Sequence, residues 1–152
     1  MSDNKYLLPQ RLRPLGIFLL VAGALLGFAR YYFNFKPHFL DLKVWALYSF
    51  YIESKINEII SNQMIEEIAQ ILVLTGLFMI AFTKEKVESS GVNEVRLKAF
   101  MITAYVNLAF LIVSLLVTFG FGFVGALVLF MNLWLLCYIV IFRVLMRKFR
   151  HL

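Results

Sequence analysis

The sequence is poor in the side chains that chemistry usually needs. It has one cysteine, Cys137, so no disulfide can form within the chain. A lone cysteine inside an apolar run has no partner ligand and reads as a small packing residue. There are two histidines, His38 and His151, neither of them near Cys137 or in a HExxH arrangement. No metal and no cofactor is expected from this set. Paired carboxylates, a Ser/His/Asp set and a P-loop are all missing. Charge is scarce too, at 16% of residues against about a quarter in a soluble domain. Between Lys98 and Arg143 there is no charged residue in 44 positions.

Apolar surface takes the place of charge. Hydrophobic residues make up 62% of the 152 residues and mean hydropathy is +0.83. The uncharged C-terminal stretch is about twice what one bilayer crossing needs. It reads as two spans, 99–119 and 124–142, separated by Gly120-Phe-Gly122-Phe. Net charge is +6, but the basic residues flank apolar runs, so the sign points to a membrane surface and not to nucleic acid.

An earlier span covers 15–32, led by Pro14, whose missing N–H has no intrahelical partner at a helix start. A basic segment before an apolar run also describes a signal peptide, but this run continues through Leu25, Leu26 and Phe28. Gly16, Gly23 and Gly27 fall on one face of it, and Gly23-Ala-Leu-Leu-Gly27 is a GxxxG that allows another helix to approach closely. Arg30 to Lys36 forms an aromatic interfacial belt. Arg30 is placed to meet Asp41, Glu66 or Glu67, and its preferred reading is snorkelling to the headgroups. The external loop 33–62 is too charged to cross. Asp41-Leu-Lys-Val alternates like a strand, while 44–60 reads as an amphipathic helix on the membrane surface or capping the bundle. Ser61 and Asn62 read as caps of a span at 64–83. A connector at 84–98 follows, with Asn93 as the cap of the third span and Glu94–Lys98 as an i, i+4 pair. The fold class expected is all-α, with four transmembrane helices in a single membrane domain.

Four crossings put both termini on one side. That side holds 11 of the basic residues and the other side Arg30, Lys36, Lys43 and Lys55. The positive-inside rule makes the first side cytoplasmic and the loop 33–62 external.

Gly120-Phe-Gly122-Phe-Val-Gly125 matches a dinucleotide fingerprint by letters, but that site needs a preceding strand in a βαβ unit. The glycines are expected instead to allow the reversal and close packing of the last two helices. Ser114 and Asn132 count to similar depths from the turn and are candidates for an interhelical hydrogen bond; Asn107 counts level with Cys137. These residues are read as structural glue, since no acid, histidine or lysine lies within the spans to relay protons or ions. Arg143, Arg147 and Arg150 share one face with Lys148 beside it, a surface for anionic headgroups on the cytoplasmic side.

Residues 40–49 (Leu-Asp-Leu-Lys-Val-Trp-Ala-Leu-Tyr-Ser), Ala81-Phe-Thr-Lys-Glu-Lys-Val-Glu88, Arg96-Leu-Lys98 and Tyr105-Val-Asn107 resemble segments of a group of small four-span membrane proteins of Bacteroidetes-type bacteria. The likeness covers most of the chain after residue 35. It implies a bacterial inner membrane and the same layout, and it carries over no catalytic residue. It draws attention to Glu85, Glu88, Arg96 and Asn107, the acids being expected to pair with Arg96 or Lys98 at the cytoplasmic surface.

The expectation is a non-enzymatic scaffold, subunit or regulator of a membrane complex, working with a protein partner or as a homo-oligomer. The alternative is an oligomeric pore or small transporter lined by Asn107 and Asn132. A third reading, an enzyme acting on lipid through Glu53, Glu66, Glu67 or His38, has no diagnostic spacing behind it.

Overall fold

The computed structural model describes residues 7–50, 54–85 and 89–150. It is mostly helical. Helix α1 runs Arg13–Tyr32, α2 Ile65–Ala81, α3 Ser90–Val117 and α4 Phe121–Arg150. A two-stranded antiparallel sheet, β1 Asp41–Phe50 and β2 Ser54–Gln63, lies between α1 and α2 in the chain. The chain divides into two compact units, Met1–Leu20 with Leu74–Leu152, and Val21–Val73.

Three helical stretches, Gln10–Tyr32, Gly91–Val117 and Gly122–Phe149, are long and apolar enough to cross a membrane. Only 11 to 17% of their most apolar windows is buried. Phe18, Leu25, Tyr105, Leu116, Leu129 and Val140 are among the large apolar side chains left exposed. Surface of that extent is unstable in water and matches lipid tails. Helix α2 has 17 residues, about 26 Å at 1.5 Å per residue, against a hydrocarbon core of about 30 Å.

In the larger unit, α3 and α4 form an antiparallel hairpin. The core there sets Val92, Val95 and Ala99 of α3, with Ala81 of α2, against Tyr138, Phe142 and Met146 of α4. Phe130, Trp134, Tyr138 and Phe142 recur every four residues on α4. Through them a line of ring contacts runs along the helix pair: Phe110 to Phe130, Phe100 to Trp134 and Tyr138, and Tyr138 to Phe82. Here too α1 and α2 meet at glycine. A Cβ built on Gly76 would lie 2.6 Å from Leu20 N and 2.7 Å from Gly16 O, so only a hydrogen fits there.

The smaller unit holds the β-hairpin, which replaces the expected surface helix at 44–60. Asp41 to Val44 and Leu47 to Phe50 alternate or nearly so, while 44–48 is a continuous apolar run whose Val44, Trp45 and Tyr48 suit a strand. Aromatic and β-branched residues favour the same outcome. The register pairs Asp41 with Gln63, Trp45 with Ile59 and Phe50 with Ser54. At its base Met64 N donates to Leu40 O at 3.0 Å, and Gln63 Nε2 to Pro37 O at 3.3 Å. Ser61 and Asn62 therefore end a strand and do not cap α2. Asn62 Nδ2 donates to Glu67 Oε1 at 2.7 Å across the junction. Gly23 packs against Ala69, Leu72 and Val73 in this unit.

Other boundaries move for local reasons. Ser89, not Asn93, caps α3: its Oγ accepts from Val92 N at 3.4 Å. Glu94 and Lys98 are both exposed and do not pair with each other. The turn between α3 and α4 is only Thr118, Phe119 and Gly120, with Gly120 at φ +58°. Gly122 and Gly125 already belong to α4. A Cβ at either, or at Gly27 or Gly120, would meet nothing within 4 Å. These four glycines thus provide no close packing within the chain; Gly120 serves the expected reversal, and packing of Gly27 between copies of the chain, the other form of the expectation, is left open.

Candidate functional site

The only dense gathering of charge among the described residues lies in the larger unit, where the start of α1, the end of α2, the start of α3 and the end of α4 meet. It is built on a backbone clasp. Beyond Ala81 the chain extends, and Leu8 forms a parallel bridge with Thr83. Leu8 N donates to Phe82 O and Lys84 N to Leu8 O, both at 2.9 Å. Thr83 is buried and its hydroxyl donates back to Met79 O, satisfying a carbonyl that the helix end leaves open. Glu85 follows at once, so its position is set by paired backbone.

The Glu85 side chain is 7% exposed. Its Oε1 is 3.6 Å from Arg13 Nη1, at the start of α1, and 3.4 Å from Arg143 Nη2, in the last turns of α4. The two arginine side chains are more open, at 26% and 38%. Arg96 is buried beside the core, its guanidinium carbon 5.5 Å from the centre of the Phe142 ring, a cation–π distance. Gly91 allows α4 to approach here, since a Cβ on it would be 2.5 Å from Phe149 Cζ. Arg147 and Lys148 lie exposed beyond the cluster, and Arg150 is the last residue of α4. Glu88 lies outside the described residues.

Arg13 was not legible as part of this cluster. Its pairing with Glu85 joins residues 72 positions apart, and nothing local signals it. The aromatic series on α4 is legible in the sequence as an i, i+4 repeat, Phe130, Trp134, Tyr138 and Phe142.

A second charged junction closes the smaller unit. Arg30 Nη2 is 2.8 Å from Glu66 Oε1, and its Nη1 donates to Asn34 Oδ1 at 2.9 Å. Arg30 therefore turns to an acid and does not snorkel. Asn34 sits at φ +49°, a region that asparagine tolerates better than most residues. The pair joins the end of α1 to the start of α2. His38 Nδ1 is 3.6 Å from Asp41 Oδ2 nearby.

The polar residues inside the spans do not pair as counted. From the Phe110–Phe130 stack, three residues back on α3 match three forward on α4, so Asn107 is level with Leu133 and not with Cys137. Asn132 is two residues from both Phe130 and Trp134, about 200° round the helix from the rings that meet α3, and its Oδ1 is buried with no hydrogen-bond partner. Its Nδ2 donates to Val128 O at 3.0 Å. Ser114 O accepts from Thr118 Oγ1 at 2.7 Å. No Ser114–Asn132 bond exists. Asn107 and Thr103 are fully buried and bond to their own helix, Asn107 Nδ2 to Thr103 O and Thr103 Oγ1 to Ala99 O. Asn107 Oδ1 has no hydrogen-bond donor.

A buried carboxylate flanked by guanidiniums supports charge recognition. Among the described residues, no three of His, Cys, Asp and Glu gather as metal ligands. Comparison with protein-family models, curated proteins and solved structures found no match for this chain.

Proposed function

We propose that the protein is a non-catalytic component of a bacterial inner membrane that crosses the bilayer four times and presents its β-hairpin outside as a docking element for a partner protein. Helix α2 serves as the fourth span. Arg30–Glu66 ties its start to the end of α1, and the Leu8–Thr83 bridge ties its far end to the segment leading into α1. The polar residues flanking its 17-residue apolar helix supply the missing length in the headgroup layer. The Arg13–Glu85–Arg143 end, the more basic one, faces the cytoplasm.

The observation that carries this reading is the hairpin. It has two strands of ten residues and, among the described residues, no third. Both outer edges leave backbone N–H and C=O groups unpaired, which hydrocarbon does not tolerate. Outside the bilayer such edges are templates for an added strand. Two strands alone are marginal in water, so a partner strand brings stability as well as recognition.

The test is purification of the tagged full chain in mild detergent, with the mass and protein content of the particle measured. A second protein in fixed ratio, lost when Ile59→Pro breaks the ladder, supports the reading. A homo-oligomer with no second protein overturns it and favours a pore.

A further inference from the structure

We infer that Arg13 and Arg143, oriented by Glu85, form a binding site for a phosphate-bearing anion at the depth of the lipid headgroups. This site does not depend on the hairpin reading; it requires only that α1 and α4 lie in a membrane.

The geometry leaves the arginines underused. Both approach the same oxygen, Glu85 Oε1, at 3.6 and 3.4 Å. Charge-assisted hydrogen bonds are shorter, about 2.7–2.9 Å. Each guanidinium has five N–H donors in a planar fork. One carboxylate oxygen at these distances consumes few of them, and the triad as a whole carries one net positive charge. The donors that remain match a phosphate, whose oxygens accept two parallel N–H bonds from each fork.

Burial orders the three groups by depth. The Glu85 side chain is 7% exposed and the Arg13 and Arg143 side chains 26% and 38%. An approaching anion therefore meets cations first, with the negative charge behind them. The arginines stand on two different helices, and Glu85 follows a backbone bridge that also anchors the segment before Arg13. Such a frame is preorganised, so little side-chain freedom is lost on binding. A loose basic tail lacks this. Arg147 and Lys148, exposed and without an ion pair among the described residues, belong to that diffuse class and provide the comparison.

Two sources supply this chemistry, the phosphodiester of an anionic phospholipid and a free phosphate compound. The experiment uses the full-length protein, delipidated in detergent, with thermal unfolding followed by reaction of Cys137 with a thiol dye. Phosphatidylglycerol and phosphatidylcholine of the same acyl chains are titrated separately. Phosphatidylglycerol is expected to stabilise more. Arg13→Gln and Arg143→Gln should each raise its half-saturation concentration about fivefold, and both together about thirtyfold, from about 1 kcal/mol per basic residue. Arg13→Lys and Arg143→Lys keep the charge and guard against misfolding; a fork site should lose severalfold with them. Arg147→Gln with Lys148→Gln should change it less than twofold. No lipid preference in the parent, an equal loss in the Arg147/Lys148 pair, or full binding by the lysine variants overturns the site. Inorganic phosphate at millimolar concentration assigns the source: stabilisation by it means a soluble anion, and stabilisation by phosphatidylglycerol alone means the membrane lipid.

Discussion

Gly76→Ala tests how the first two helices are held. Ordinary contact at a Cβ begins near 3.4 Å, and the Cβ of alanine here would sit 2.6, 2.7 and 2.9 Å from Leu20 N, Gly16 O and Leu20 Cα. The worst overlap is thus 0.8 Å, and all three atoms are backbone. No rotamer change relieves it, so the helices must separate. Overpacking of this kind costs about 1–3 kcal/mol. Alanine's better helix propensity returns up to about 1 kcal/mol, which leaves a net loss of about 0–2 kcal/mol when that return is complete. Gly27→Ala is the matched control, because a Cβ there meets nothing within 4 Å. It should be neutral or up to about 1 kcal/mol stabilising. The assay is reversible unfolding in mixed micelles of increasing denaturing detergent, followed by circular dichroism. Because the chemical change is the same at both positions, the difference between them isolates the helix contact. Equal effects within about 0.5 kcal/mol, or the reverse order, would refute the reasoning.

Three further outcomes are expected. Glu85→Gln leaves Arg13 and Arg143 without their shared carboxylate; the arginines are partly exposed, so the loss should be about 1–2 kcal/mol by thermal unfolding and should shrink in high salt. Asn107→Leu removes a buried oxygen with no donor and should be neutral or stabilising by up to about 1 kcal/mol, whereas a loss above about 2 kcal/mol would reveal a bound donor at that point. In a Cys137→Ala background, Ser54→Cys should react with a membrane-impermeant maleimide from outside the cell, and Arg147→Cys only after the membrane is opened; the opposite pattern would invert the topology.

The three apolar helices were legible because lipid imposes one simple demand, a long run without charge, and 44 uncharged positions meet it twice. Gly16 and Gly23 were legible as close-packing sites because they share one helix face, a stripe of small residues seven positions apart, whereas the GxxxG partner Gly27 meets nothing within the chain. Gly76, their counterpart on α2, stands alone in its helix and gave no such signal. The segment after residue 40 carries both patterns at once: apolar residues crowd it densely enough to suggest an amphipathic helix, while Asp41 to Val44 and Leu47 to Phe50 alternate or nearly so. Tertiary pairing with β2 decides between them, and pairing is not a local property. Depths along α3 and α4 depend on where the chain reverses, and Gly122 is not that point. The reversal is complete by Gly120, two residues earlier, which removes the Ser114–Asn132 match. The charged cluster was half visible. Glu85 and Arg96 stood out near the connector, but Arg13 and Arg143 reach Glu85 only through the folded chain.

The clasp between Leu8 and Thr83 bears on the order of assembly. Its two strands are separated by the whole of α1, the hairpin and α2, so residues 7–9 have no place to settle until residue 84 has been made. The first helix must enter the membrane with its leading segment undocked. The second must return beside it before Glu85 is fixed and Arg13 acquires its partner. A chain released before residue 84 would carry α1 but neither the bridge nor the carboxylate. Residues 7–9 are thus made before α1 and α2 and secured only after both.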